Sequence, residues 1–190
     1  MSRGSTRLSP GMAGGVWLRW WYWDMAAQRV VESRTAARRL RFPYVPGLLS
    51  FREAPALLAV LRKLRVKPEV LMCDGHGLAH PHRFGIACHM GLLAGLPAVG
   101  CAKSLLVGEH EAPARMRGAR APLMHRGTCV GSVLRTRDGV RPVYVSVGHL
   151  ADQPTAERLV LDCGAGYRLP EPTRRADHLV RITAHPGPAA

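Results

Sequence analysis

The chain has 190 residues, 47% of them hydrophobic, and its 27 Lys and Arg against 13 Asp and Glu leave a formal charge of +14 at pH 7. That length holds one domain with a substantial core and leaves no obvious room for two. The charge favours a polyanionic partner through counterion release, nucleic acid first among them, although an arginine-rich solvated surface is the plainer account of the same excess. No apolar stretch approaches the roughly 20 residues of a membrane span, and residues 16–23 are too short, and too interrupted by Arg19, for a signal sequence.

Residues 1–15 mix Ser, Arg, Gly and Pro without a periodic apolar pattern and are read as unstructured, ahead of one folded domain over 16–183 and a flexible tail over 184–190. Residues 16–23 are aromatic and suit a strand that turns back into 29–33 as a hairpin; their tryptophans read as core before base-stacking surface. Pro43-Tyr44-Val45-Pro46-Gly47 is a stiff loop presenting one aromatic ring, since both prolines fix their own backbone and restrict the residue before them. Apolar residues at Phe51, Leu57, Leu58, Leu61 and Leu64 then predict a helix over 51–65. Its start is open: Ser50 and Glu53 fit a capping box, whereas Pro55 suits the first helical position.

Residues 70–73 read as a short buried strand ending in Asp74-Gly75, 85–93 as an apolar helix, and 97–102 as a second buried strand ending at Lys103. Strand, helix and strand in succession imply parallel pairing, which brings Asp74 and Lys103 out at the same carboxyl edge, where open α/β sheets bind ligands. A polar loop over 108–118 is followed by strands over 128–135 and 141–147 about the turn Arg137-Asp138-Gly139, with Gly148-His149 after them. Residues 155–163 form an amphipathic helix stopped by Gly164, 167–174 are extended and proline-stiffened, and 174–181 suit a last helix. Cys73, Cys88, Cys101, Cys129 and Cys163 are odd in number and lack a Cys-x-x-Cys, as in small core residues of a reducing, cytoplasmic protein.

Five stretches stand in a recognisable order: Pro43 to Gly47 with Ser50-Phe51-Arg52-Glu53; Asp74-Gly75-His76-Gly77 with His80-Pro81; Gly100 to Lys103; Gly148-His149; and Tyr167 to Arg174. On them the chain resembles the endonuclease V family over roughly 29–181. The resemblance implies a ribonuclease H-like α/β fold, a central mixed sheet flanked by helices. It also implies hydrolysis of the second phosphodiester 3′ to a deaminated adenine, with Mg²⁺ or Mn²⁺ as cofactor. By motif, Asp74 is a direct metal ligand, Glu53 the helix-borne carboxylate of the same cluster, Lys103 the cation opposite charge building on the phosphate, and His149 the residue that completes the catalytic site. Tyr44, held by Pro43 and Pro46, is the wedge entering the duplex, and Gly75 with Gly77 let the backbone approach the extruded base.

Each residue also has a plainer reading: Glu53 as a helix cap, Asp74-Gly75 as a strand-end turn, Lys103 as a solvated side chain, Tyr44 as a surface aromatic. A zinc site from His76, His80, His82 and His89 is disfavoured by the absence of cysteine partners and the interleaved glycines and prolines. The expected partner is deoxyinosine-containing DNA or inosine-containing RNA, met by a monomer. One departure is expected to matter. The family carries an aspartate on the first strand of its sheet, which by counting back falls near 8–14, where this chain has no acid and carries Pro10 with Gly11 and Gly14. The expectation is a sheet without its first strand, from a displaced start or a frameshift, and an impaired nuclease or a non-catalytic binder of inosine-bearing or unpaired nucleic acid. A general basic nucleic-acid protein accounts for the charge but not for the motif series.

Overall fold

The computed structural model describes residues 2–3, 7–8, 15–39, 45 and 48–175. They form strands β1 (Ser2–Arg3), β2 (Arg7–Leu8), β3 (Gly15–Asp24) and β4 (Arg29–Arg39), helix α1 (Leu49–Leu61), strand β5 (Leu71–Cys73), helix α2 (Ile86–Ala94), strands β6 (Ala98–Ala102), β7 (Arg120–His125), β8 (Thr128–Leu134) and β9 (Val143–His149), and helix α3 (Gln153–Asp162). One mixed sheet joins the strands in the order β2-β3-β1-β5-β6-β9-β8-β7, with β4 on β3. The expected Trp-rich hairpin is β3 and β4, antiparallel from Gly15↔Arg39 to Asp24↔Arg29. The parallel pairs are β1 with β5 and β5 with β6.

The sheet is covered on both faces because its central strands alternate apolar side chains up and down. Leu71, Cys73 and Ala98 pack with Trp20 against Ala54, Leu57 and Val60 of α1 and Ala87 and Met90 of α2. Met72, Val99, Cys101, Val143 and Val145 pack with Trp23 against Ala156, Leu159 and Val160 of α3. Trp20 and Trp23 are therefore core residues, and the Trp20 indole donates to the Leu57 carbonyl at 2.8 Å, which satisfies its polar edge inside the apolar layer.

Three differences from the sequence expectations have physical causes. The sheet does not lack a strand beside β5: Ser2–Arg3, earlier in the chain than 8–14, fill that place, Ser2 opposite both Trp21 and Met72, while Arg7–Leu8 pair along β3. Helix α1 begins at Leu49 with no side-chain cap, so Ser50 and Glu53 both lie inside it, and Pro55 is an interior proline. Strand β7 went unread because Pro122 breaks the strand pattern; as the last strand in the order it tolerates a missing ladder N–H. Helix α3 opens with Asp152, whose carboxylate accepts the Thr155 N–H at 2.7 Å. Residues 171–175 are helical, starting three residues before the last helix expected over 174–181, whose residues from 176 on lie outside the described residues. Among the described residues no helix is long and apolar enough to cross a membrane, and of the cysteines only Cys129 is exposed.

Candidate active site

Asp74 and Lys103 directly follow β5 and β6, which run parallel with Cys73 opposite Gly100. Both therefore emerge at one sheet edge, and Lys103 Nζ lies 3.1 Å from Asp74 Oδ2. The Asp74 side chain is 8% exposed and that of Lys103 31%, so the pair sits at the rim of the core, where solvent screens it only in part.

Glu53 reaches the same edge by a different route. The backbone N–H of Arg65, just past α1, donates to the Glu32 carboxylate at 3.0 Å, and Glu32 pairs with Tyr22. Since Trp21 stands opposite Ser2, and Ser2 opposite Met72, that end of α1 lies towards the amino edge of β5. The helix thus points its first turns at the carboxyl edge: Leu57 meets Trp20, and Glu53 lies one turn, about 6 Å, further along. Glu53 is only 5% exposed.

His149 does not join them. In the antiparallel ladder between β6 and β9, His149 stands opposite Ala98 and Tyr144 opposite Ala102. His149 is thus at the amino end of β6, five residues or about 16 Å from Lys103 along the strand. There its Cβ faces Gly91 of α2, where an added methyl would come within 2.5 Å of it. Its expected place in the catalytic site is corrected: Gly-His directly ends a strand, as Asp74 and Lys103 directly follow theirs, but this strand runs the other way.

The loop after Asp74 folds back over β6 and β9. The Gly77 N–H donates to Ser146 Oγ at 2.8 Å and its carbonyl accepts the Gly85 N–H at 3.0 Å. A methyl on Gly77 would stand 2.0 Å from the Val147 carbonyl oxygen, and one on Gly100 would stand 2.4 Å from the Gly75 oxygen. Gly77 is thus demanded by packing, and its own polar groups are already spent on the protein. Gly75 would meet only the Ile86 side chain, at 2.8 Å. Between them His76 bonds to the Ser104 backbone; burial holds its imidazole down at about 4, with nearby His80 adding to the effect, so it is neutral at pH 7. Tyr44, Pro43 and Pro46 lie outside the described residues. Among the described residues no group of three or more His, Cys, Asp and Glu is placed to hold a metal ion.

Arg168 lies in the motif stretch 167–174, which by itself assigns it no task. Its guanidinium Nη2 donates to the Lys103 carbonyl at 2.6 Å and to that of Pro142 at 2.9 Å, and Nε donates to Arg141 O at 3.0 Å. Burial, then neighbouring Arg141, pull its pKa below the usual arginine value. The Cys101 thiol beneath is pushed up, by burial first and then by the charge of Asp74.

A family model described as Endonuclease V matches residues 14–178. The Endonuclease V of Roseiflexus sp. (strain RS-1) is 60% identical over 150 residues, 79% of this chain and 68% of that protein. The crystal structure of the Endonuclease V from Streptomyces avermitilis superposes with a TM-score of 0.89 at 44% identity, covering 95% of this chain and 78% of the other. Endonuclease V from Ciona intestinalis, in complex with a 24mer DNA containing an inosine followed by a ribo-adenosine, matches in fold with a TM-score of 0.78 at 24% identity, over 95% and 84% of the two chains.

Proposed function

Because the chain belongs to the endonuclease V family of DNA endonucleases, we propose that it incises DNA at deoxyinosine, at the second phosphodiester 3′ to the lesion, with a rate limited by an incomplete carboxylate set. The observation that carries this reading is the Lys103–Asp74 pair at the sheet edge to which α1 also brings Glu53. Two carboxylates supply oxygen donors of the kind that hard Mg²⁺, or Mn²⁺, takes together with substrate phosphate and water. Asp74 and Glu53 would hold the ion, which when bound would neutralise phosphate charge and activate a water. Lys103 would lie near the phosphate, where a cation offsets negative charge growing towards the transition state. Tyr44 is assigned as the wedge, with Pro43 and Pro46 holding it, and the loop around Gly75 and Gly77 as the wall of the base pocket, Gly77 shaping it rather than donating to the base.

The limit comes from the other neighbour of β5. That strand is Ser2–Arg3, and no acid precedes Asp24 in the sequence. The same observation favours a second reading, a cytoplasmic, monomeric binder of inosine-bearing DNA or RNA that does not cut. An end-labelled duplex with one deoxyinosine separates them. Incision at the second bond 3′ to the lesion, in Mg²⁺ and not in EDTA, supports the nuclease; inosine-selective binding without a cut in Mg²⁺ or Mn²⁺ supports the binder. Equal affinity for inosine and adenine would remove both.

A further inference from the structure

We propose that Arg168 is a positioning residue, which fixes Lys103 beside Asp74 by clamping the ends of β6 and β9 where their ladder stops. The last pair of that ladder is Ala102↔Tyr144, so the strand bonding that orients residues 98–102 ends one residue before Lys103. Arg168 supplies the missing rung from 65 residues away: Nη2 bridges the carbonyls of Lys103 and Pro142, and Nε takes that of Arg141. Its own carbonyl accepts Thr136 Oγ1 at 2.5 Å, which ties the clamp to the end of β8. Three strand ends thus meet on one residue, two on its side chain and the third on its carbonyl.

The chemistry needs a guanidinium. Its donors lie in a rigid plane and can address separate carbonyls at once, whereas an ammonium is a single point with no fixed fork. These acceptors are all main-chain carbonyls, so the bonds orient the backbone without neutralising the arginine. Its charge stays beside Lys103, and the buried Cys101 thiol is influenced by Arg168, Lys103 and Asp74 together. Fixing the Lys103 carbonyl leaves its side chain fewer ways to swing off Asp74, which lowers the ordering cost at the moment of reaction.

The chain's lysines are Lys63, Lys67 and Lys103, so each is resolved by mass spectrometry after brief acetylation of the native protein. In the unaltered chain Lys103 is expected to react several-fold more slowly than exposed Lys67, and in Arg168→Gln it is expected to rise to the Lys67 rate. Arg168→Lys is expected to behave like Arg168→Gln. Incision rests on the function proposed above and forms a separate arm: Arg168→Gln lowers kcat, and adds little on a Lys103→Ala background, because it acts through that lysine. Folded Arg168→Gln with Lys103 still protected would overturn the proposal, as would additive losses in the double variant. If Arg168→Gln does not fold, Thr136→Val decides, since it loosens the same clamp; unchanged Lys103 labelling there overturns the proposal equally. Labelling needs neither metal nor substrate, so its failure is distinguishable from a failure to cut.

Discussion

Lys103 Nζ stands 3.1 Å from Asp74 Oδ2 and so joins the carboxyl ends of two parallel neighbours, β6 and β5. A pair between a lysine about a third exposed and a nearly buried carboxylate is strong enough to hold its place, yet weak enough to be shared with an entering phosphate. Lys103→Ala is therefore expected to lower kcat by about 100-fold or more with little change in KM, the loss typical of a group used in the transition state. Single-turnover incision with substrate titration measures both. A raised KM at unchanged kcat would instead make Lys103 a binding residue.

His149 offers the opposite test. Because it pairs with Ala98 at the amino end of β6, His149→Ala keeps the Cβ that packs on Gly91 and removes a ring remote from Asp74. Incision within about twofold of the unaltered chain is expected. A loss as large as that of Lys103→Ala would show that His149 reaches the site after all.

Two glycines separate packing from backbone strain. Gly77→Ala places a methyl 2.0 Å from the Val147 oxygen, with backbone on both sides and nothing flexible to yield. It is expected to cost about 1–3 kcal/mol by urea unfolding and to weaken inosine selectivity as the loop lifts. Gly118→Ala has open space around it and pays only for φ +85°, so about 1 kcal/mol and no change in selectivity are expected.

The acid limb of stability involves His89, half-buried between the rings of Phe51 and Phe84, whose pKa burial holds below the ordinary 6.5. The unfolded chain then takes up a proton that the folded chain refuses, so stability falls as the pH drops from 6.5 towards the lower folded value. His89→Gln removes that linkage. The thermal midpoint of the variant is expected to fall less steeply between pH 6.5 and 5; equal slopes would place the acid sensitivity elsewhere.

Much of the site was legible because it is local in sequence. Asp74 and Lys103 each follow a short run of buried residues, and parallel pairing alone sends both to one edge. Glu53 was legible as a helix residue, although only the Arg65–Glu32 bond and the packing of Trp20 on Leu57 tell which way that helix points. His149 failed for a directional reason: an antiparallel strand carries its end to the far edge, and composition does not reveal strand direction. Arg168 was invisible as a functional residue because its partners lie 26, 27 and 65 residues away and are all carbonyls, which every residue possesses. The first strand was misplaced since its order comes from pairing with β3 and not from its own pattern; Ser2 and Arg3 carry no apolar alternation to read.

What most directly tests the account is the rate of deoxyinosine incision as Mg²⁺ is titrated, measured side by side with the Roseiflexus sp. relative. With serine and arginine on the strand next to Asp74, this chain is expected to cut the same bond about 100-fold or more slowly and to need more Mg²⁺ to reach half its maximal rate. Equal rates and equal Mg²⁺ midpoints would contradict it, and would mean that another carboxylate completes the site.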